Sequence, residues 1–137
     1  MISLCYLPNS NRMTCVVVKA KDLPQKDVMG SSDPYVKLWL VQQGNKLEKR
    51  KTTVKPQCLA PVYNESFAFS VPPRERLQNE VQLVVTVMDH DVLSSNDEIG
   101  HVIIGSRGSE SGIKHWKEMI ERPEHPCAIW HKLSPKW

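Results

Sequence analysis

Five aspartates, Asp27, Asp33, Asp89, Asp91 and Asp97, stand in two groups far apart in the chain, each group following a run of strand-forming residues. Carboxylates brought within about 4 Å of one another repel by roughly 4 kcal/mol per pair at an effective dielectric of about 20, and a bound cation removes that penalty. Asp27 and Asp33 bracket a turn containing Gly30, Asp89 and Asp91 are in phase if the backbone stays extended, and Asp97 returns across a short tip. Calcium takes about six to eight oxygen ligands, so paired loops offering carboxylates and carbonyls suit it. The linear D-x-[DN]-x-[DN]-G loop of an EF-hand is missing, so such a site has to be assembled by the fold.

The opposite sign gathers in Lys46, Lys49, Arg50, Lys51 and Lys55, so the net charge of +3 conceals two local fields. In a regular strand Lys49, Lys51 and Lys55 share one side while Lys46 and Arg50 take the other. Glu48 interrupts the block. The run reads equally as a surface for acidic partners and as the lysine guard of an exposed sheet edge. It has no groove-reading motif or neighbouring stacking platform, which argues against nucleic acid. The five histidines, His90, His101, His115, His125 and His131, form no H-E-x-x-H pattern, and no nucleophile with its base accompanies the carboxylates. The chain therefore reads as noncatalytic. Cys5, Cys15, Cys58 and Cys127 are too widely spaced for a zinc knuckle or redox pair, as expected for reduced thiols in a cytosolic domain.

Positioning these groups falls to short β-rich runs at 2–7, 13–20, 35–42, 46–54, 66–71, 81–89, 99–105 and 128–133, separated by proline and glycine turns. In the sixth, Val81, Leu83, Val85 and Val87 share a side with Gln82 and Thr86 opposite, a phase that delivers Asp89 just beyond an apolar layer. Ile113, Trp116, Met119 and Ile120 have helical spacing between Gly112 and Pro123, predicting one short helix before the last strand. Trp116 and Trp130 are expected to pack that helix against the sheet. The 137 residues suffice for one domain. No leader or apolar span of about 18 residues is visible, and the abrupt ends suggest a fragment of a longer protein. The sequon Asn64-Glu65-Ser66 runs into the predicted strand at 66–71.

Ser32-Asp33-Pro34-Tyr35-Val36-Lys37, Tyr63-Asn64-Glu65-Ser66-Phe67 and Asp97-Glu98-Ile99-Gly100 resemble landmarks of a C2 domain. The His115-Trp116 and Trp130-His131 pairs, with the helix between them, resemble the second, membrane-distal C2 domain of a synaptotagmin. The resemblance covers nearly the whole chain. It implies an all-β, eight-stranded antiparallel Greek-key sandwich with calcium held by Asp27, Asp33, Asp89, Asp91 and Asp97. It implies a calcium-dependent phospholipid-binding module in vesicle trafficking and exocytosis, on the cytoplasmic side of a vesicle or plasma membrane. Val28, Met29, Val92 and Leu93 flank the acids and suit insertion into acidic lipid, with local loop packing as the other role for Met29. The basic run resembles a polybasic strand that binds phosphoinositides, alongside phosphatidylserine as the other acidic lipid. Its other implied partners are SNARE proteins, further synaptotagmins or a second copy of the chain. Pro56-Gln57-Cys58 replaces a more basic continuation, which predicts a weaker phosphoinositide site.

Overall fold

The computed structural model describes residues 1–24, 32–90 and 97–135. Eight strands, β1 (Ile2–Leu7), β2 (Arg12–Lys19), β3 (Pro34–Gln42), β4 (Asn45–Lys51), β5 (Val62–Ser70), β6 (Val81–Asp89), β7 (Asp97–Gly105) and β8 (Cys127–Ile129), make two antiparallel four-stranded sheets. Their orders are β5-β2-β1-β8 and β4-β3-β6-β7.

The period of two decides which residues go inside. In β1, Ile2, Leu4 and Tyr6 are buried while Ser3, Cys5 and Leu7 are half-buried. Met13, Cys15 and Val17 of β2, Leu38 and Leu40 of β3, and Leu83 and Val85 of β6 meet them in one core. β6 lies between β3 and β7, so Thr86 and Met88 on its outer face are covered as well. Tyr63 closes the same end of the sandwich as Asp33, its hydroxyl donating to the Pro34 carbonyl at 2.6 Å. Glu65 accepts from the Thr53 hydroxyl at 2.8 Å. These two bonds explain why the Ser32–Lys37 and Tyr63–Phe67 stretches occur together: the second ties down the entry of β3 and the exit of β4.

Among the described residues two α-helices accompany the strands, α1 (Arg74–Glu80) and α2 (Glu110–Glu121). Ser109 caps α2 by accepting from the Gly112 N–H at 3.1 Å. Gly112 also lets the helix approach β7, since a Cβ there would sit 2.1 Å from the Ile103 carbonyl oxygen. Trp116, 2 % exposed, donates its indole N–H to the Leu77 carbonyl at 3.2 Å and so joins α2 to α1.

Four details depart from expectation. α1 is an additional helix, because Pro72-Pro73 opens a helix rather than only ending a strand. Ile113 is 44 % exposed, and His115 takes a place in the buried stripe of α2. β8 ends at Ile129, and the next pairing is the isolated bridge of Ser134 to His101. Trp130 is 39 % exposed instead of packed under α2, with the Lys21 ammonium 4.4 Å from its ring centre.

Candidate metal centre and basic face

Asp33 immediately precedes β3, Asp89 ends β6 and Asp97 begins β7. Pro34 pairs with Asp89 and Asp89 with Asp97, so antiparallel register carries the three carboxylates to one end of three adjacent strands. Asp89 Oδ1 accepts from the Asp33 N–H at 2.8 Å. Asp33 Oδ1 accepts from the Gln57 N–H at 2.7 Å, and its carbonyl accepts from the His90 N–H at 3.0 Å. One oxygen of each of these two carboxylates is thereby fixed by an amide, which orients the side chain and leaves its second oxygen unused by that bond. Asp33 and Asp89 are half-buried and Asp97 is exposed. His90 sits beside this end, edge-on to Tyr35 with ring centres 6.3 Å apart.

Asp27 and Asp91 lie outside the described residues, as do Val28, Met29, Val92 and Leu93. Among the described residues no three His, Cys, Asp or Glu side chains come close enough together to hold a metal ion. The chemistry of Asp33, Asp89 and Asp97 nevertheless fits a hard, oxygen-seeking cation: all three are carboxylates, and no imidazole or thiolate stands among them.

The basic run divides differently from the regular-strand reading. A bulge between Leu40 and Val41 places Lys46 opposite Val41, whereas Glu48 pairs with Leu40 and Lys49 with Trp39. The extra residue returns Lys46 to the side of Lys49 and Lys51, where Lys37 also stands across from Lys51. Lys46 and Lys49 both lie over the Trp39 ring, at 4.5 and 5.3 Å from its centre. A shallow groove of about 350 Å³ continues from Lys46 past Trp39 and Lys37 to Glu98.

Arg50 and Glu48 turn the other way. They pair with each other at 3.0 Å, and each also reaches the outer edge of β5, Arg50 to the Ala68 carbonyl and Glu48 to the Ser70 N–H. Glu48 thus neutralises Arg50 and leaves the lysine face cationic. Lys55 lies past the strand, its ammonium 6.0 Å from the Tyr63 ring centre.

A linked pair of histidines escaped the sequence reading. His115 Nε2 donates to the Cys127 carbonyl at 2.7 Å, because a carbonyl can only accept. Neutral His115 then accepts at Nδ1 from His131 Nε2 at 2.8 Å, and His131 Nδ1 accepts from the Ser111 hydroxyl at 2.7 Å. Burial lowers the pKa of both rings, that of His131 to about 4 with a further contribution from His115. Only the His-Trp and Trp-His dipeptides hinted at this link, which staples α2 to the segment after β8. All four cysteines are free thiols.

Comparison with known proteins gives this geometry a context. The family profile described as "C2 domain" matches residues 11–119. Synaptotagmin-A of Diplobatis ommata is 47% identical over 134 residues, 98% of this chain and 31% of that protein. Synaptotagmin-7 of Mus musculus is 45% identical over 134 residues, 98% of this chain and 33% of that protein. The chain spans about a third of the length of the curated relatives it matches. Among solved structures, a C2 domain of plant Extended Synaptotagmin 1 superposes with a TM-score of 0.60 at 34% identity, covering 69% of this chain and 67% of that one. A C2 domain of RIM2 gives a TM-score of 0.72, covering 97% of this chain and 93% of that one, and at 22% identity speaks for the fold alone.

Proposed function

This chain belongs to the C2-domain family, of the synaptotagmin kind, and is a non-enzymatic binding module; on that premise we propose that it is the second C2 domain of a longer vesicle-trafficking protein and docks it onto acidic membranes when calcium is present. The observation that carries this reading is the Asp33 N–H donated to the Asp89 carboxylate at adjacent strand ends, with Asp97 next in register. Asp33, Asp89 and Asp97, together with Asp27 and Asp91, would hold calcium. The bound ion would supply positive charge and open coordination positions for lipid oxygens. The protein's own contribution is to aim these carboxylates at one rim, where their charge repels acidic lipid until a cation reverses the local field. Val28, Met29, Val92 and Leu93 would then enter the lipid interface.

Calcium titration with and without phosphatidylserine vesicles tests this. The reading requires calcium binding that strengthens when vesicles are added and disappears when Asp89 is neutralised. Absence of calcium binding at millimolar concentration would overturn it.

A second reading rests on the lysines gathered around Trp39. Lys37, Lys46, Lys49 and Lys51 form a cationic face suited to phosphoinositide headgroups or acidic protein partners such as SNAREs, with no need for calcium. Chelator-insensitive vesicle binding, lost on replacing Lys46 and Lys49, would establish it. The same vesicles and variants also separate lipid from protein partners, because SNARE binding would persist without lipid.

A further inference from the structure

The end of the sandwich that carries the aspartates is divided between its two sheets. Asp33, Asp89 and Asp97 stand at the ends of β3, β6 and β7, all in one sheet. The other sheet ends beside them, because the exit of β2 is tied across to Asp33. The Ala20 N–H donates to the Pro61 carbonyl at 2.9 Å and the Leu23 N–H to the Leu59 carbonyl at 3.1 Å. The Cys58 N–H then donates at 3.0 Å to the carbonyl of Ser32, the neighbour of Asp33. Ile2 pairs with both Val17 and Ile129, so Lys19 and Trp130, just past those partners, flank the start of β1. From Trp130 the chain crosses to β7, where Ser134 and His101 exchange both backbone hydrogen bonds at 2.8 and 2.9 Å. Lys132 lies on that crossing.

This half of the end has the opposite charge. Lys19, Lys21 and Lys132 are all exposed, against the single acid Asp22 among the described residues that line the cleft between the sheet ends. Trp130 stands among them, with Lys21 at 4.4 Å and Lys19 at 5.8 Å from its ring centre. This is the Trp130 that the helix was expected to bury. Val17 and Val36, 2 % and 3 % exposed, close the floor of the cleft, so a partner meets it at the surface. An exposed indole among lysines on long stems matches the headgroup layer of an acidic membrane. Tryptophan settles there by its half-apolar ring, and ammonium groups reach the phosphates. Facing sheets lie about 10 Å apart, close to the Debye length of about 8 Å at physiological salt. A membrane that meets one half of this end is therefore within reach of the other.

On the calcium reading of the aspartate rim, we infer that Lys19, Lys21, Trp130 and Lys132 form a second membrane contact, a cationic shelf for acidic phospholipid headgroups. The shelf is separate from the Trp39 face and holds no calcium itself. Without calcium, one half of the end attracts acidic lipid while the other repels it. Once a cation reverses the field of the rim, both halves attract, and two contacts about one sheet spacing apart fix the tilt of the domain on the membrane.

Two variants test the shelf apart from the calcium site. Lys19→Gln with Lys21→Gln and Lys132→Gln discharges it. Sedimentation with phosphatidylserine vesicles in calcium at low salt should then show at least a tenfold loss of affinity, while calorimetry without vesicles still records calcium binding. Trp130→Phe removes the indole. With vesicles brominated near the headgroup end of their chains, tryptophan emission of the unmodified chain should be quenched, and Trp130→Phe should reduce that quenching. If the triple variant fails to fold, the quenching comparison carries the test alone. The calcium reading fails separately: if the unmodified chain sediments equally in calcium and in chelator, that reading falls, and the shelf stands if the triple variant loses this binding tenfold. A smaller loss in the folded triple variant, as expected if the shelf faced an acidic protein, would overturn the inference. So would quenching that Trp130→Phe leaves undiminished, or an unmodified chain that sediments in neither condition.

Discussion

Asp89 accepts the main-chain N–H of Asp33 at 2.8 Å, so a residue at the end of β6 fixes the start of β3 through its side chain. The contact makes Asp89 a structural cap as well as a candidate ligand, and the two roles respond differently to substitution.

Asp89→Asn keeps an oxygen for the Asp33 N–H but removes the charge. Thermal unfolding in chelator should move by less than about 1 kcal/mol, whereas calcium affinity by calorimetry should fall at least tenfold, about 1.4 kcal/mol. Asp89→Ala removes the acceptor too and should cost about 1 kcal/mol more in stability than Asp89→Asn.

The two sides of β4 should separate lipid binding from folding. Lys46→Ala with Lys49→Ala removes two charges from the Trp39 face, each worth about 1 kcal/mol near an anionic surface, so phosphoinositide vesicle affinity at low salt should drop by roughly ten- to thirtyfold. Arg50→Ala, on the opposite side beside Glu48, should leave vesicle sedimentation nearly unchanged while shifting stability by at most about 1 kcal/mol. A loss of lipid binding in Arg50→Ala as large as in the lysine pair would refute this division.

Acid should loosen the histidine staple. The pKa of His131 in the folded chain lies near 4, below its ordinary 6.5, so the unfolded chain takes up more protons between those values. Stability is therefore full above about pH 6.5 and declines as the pH falls towards about 4. Allowing for partial exposure of the ring, the loss between pH 7 and pH 5 should be about 1 kcal/mol. In His131→Gln, urea denaturation across the same range should show a smaller pH dependence.

Trp116→Phe deletes the indole bond to Leu77 and leaves a gap between α1 and α2. Unfolding free energy should fall by about 2 kcal/mol, with calcium binding unchanged.

The strands were legible because Ile2, Leu4 and Tyr6, or Leu83, Val85 and Val87, alternate with outward residues, and burial on one face enforces that pattern. The carboxylate end was legible for the same reason, since strand phase delivers Asp89 beside Asp97. The side of Lys46 was not, because a bulge depends on how β3 and β4 pair and leaves no period-two signature in either strand. α1 escaped because Arg74–Glu80 carries a single buried apolar residue, Leu77, too few to display a helical period. Trp130 and the histidine link depend on where the backbone turns after β8, a long-range contact with β7 through Ser134 that no local pattern records.

Vesicle sedimentation tests the central claim most directly: the chain is mixed with phosphatidylserine vesicles, first with calcium and then with excess chelator. Calcium should carry the unmodified chain into the pellet and chelator should release it, with neither Asp33→Asn nor Asp89→Asn pelleting. Equal pelleting in calcium and chelator, or calcium-driven pelleting that survives both substitutions, would contradict a membrane switch built on these aspartates.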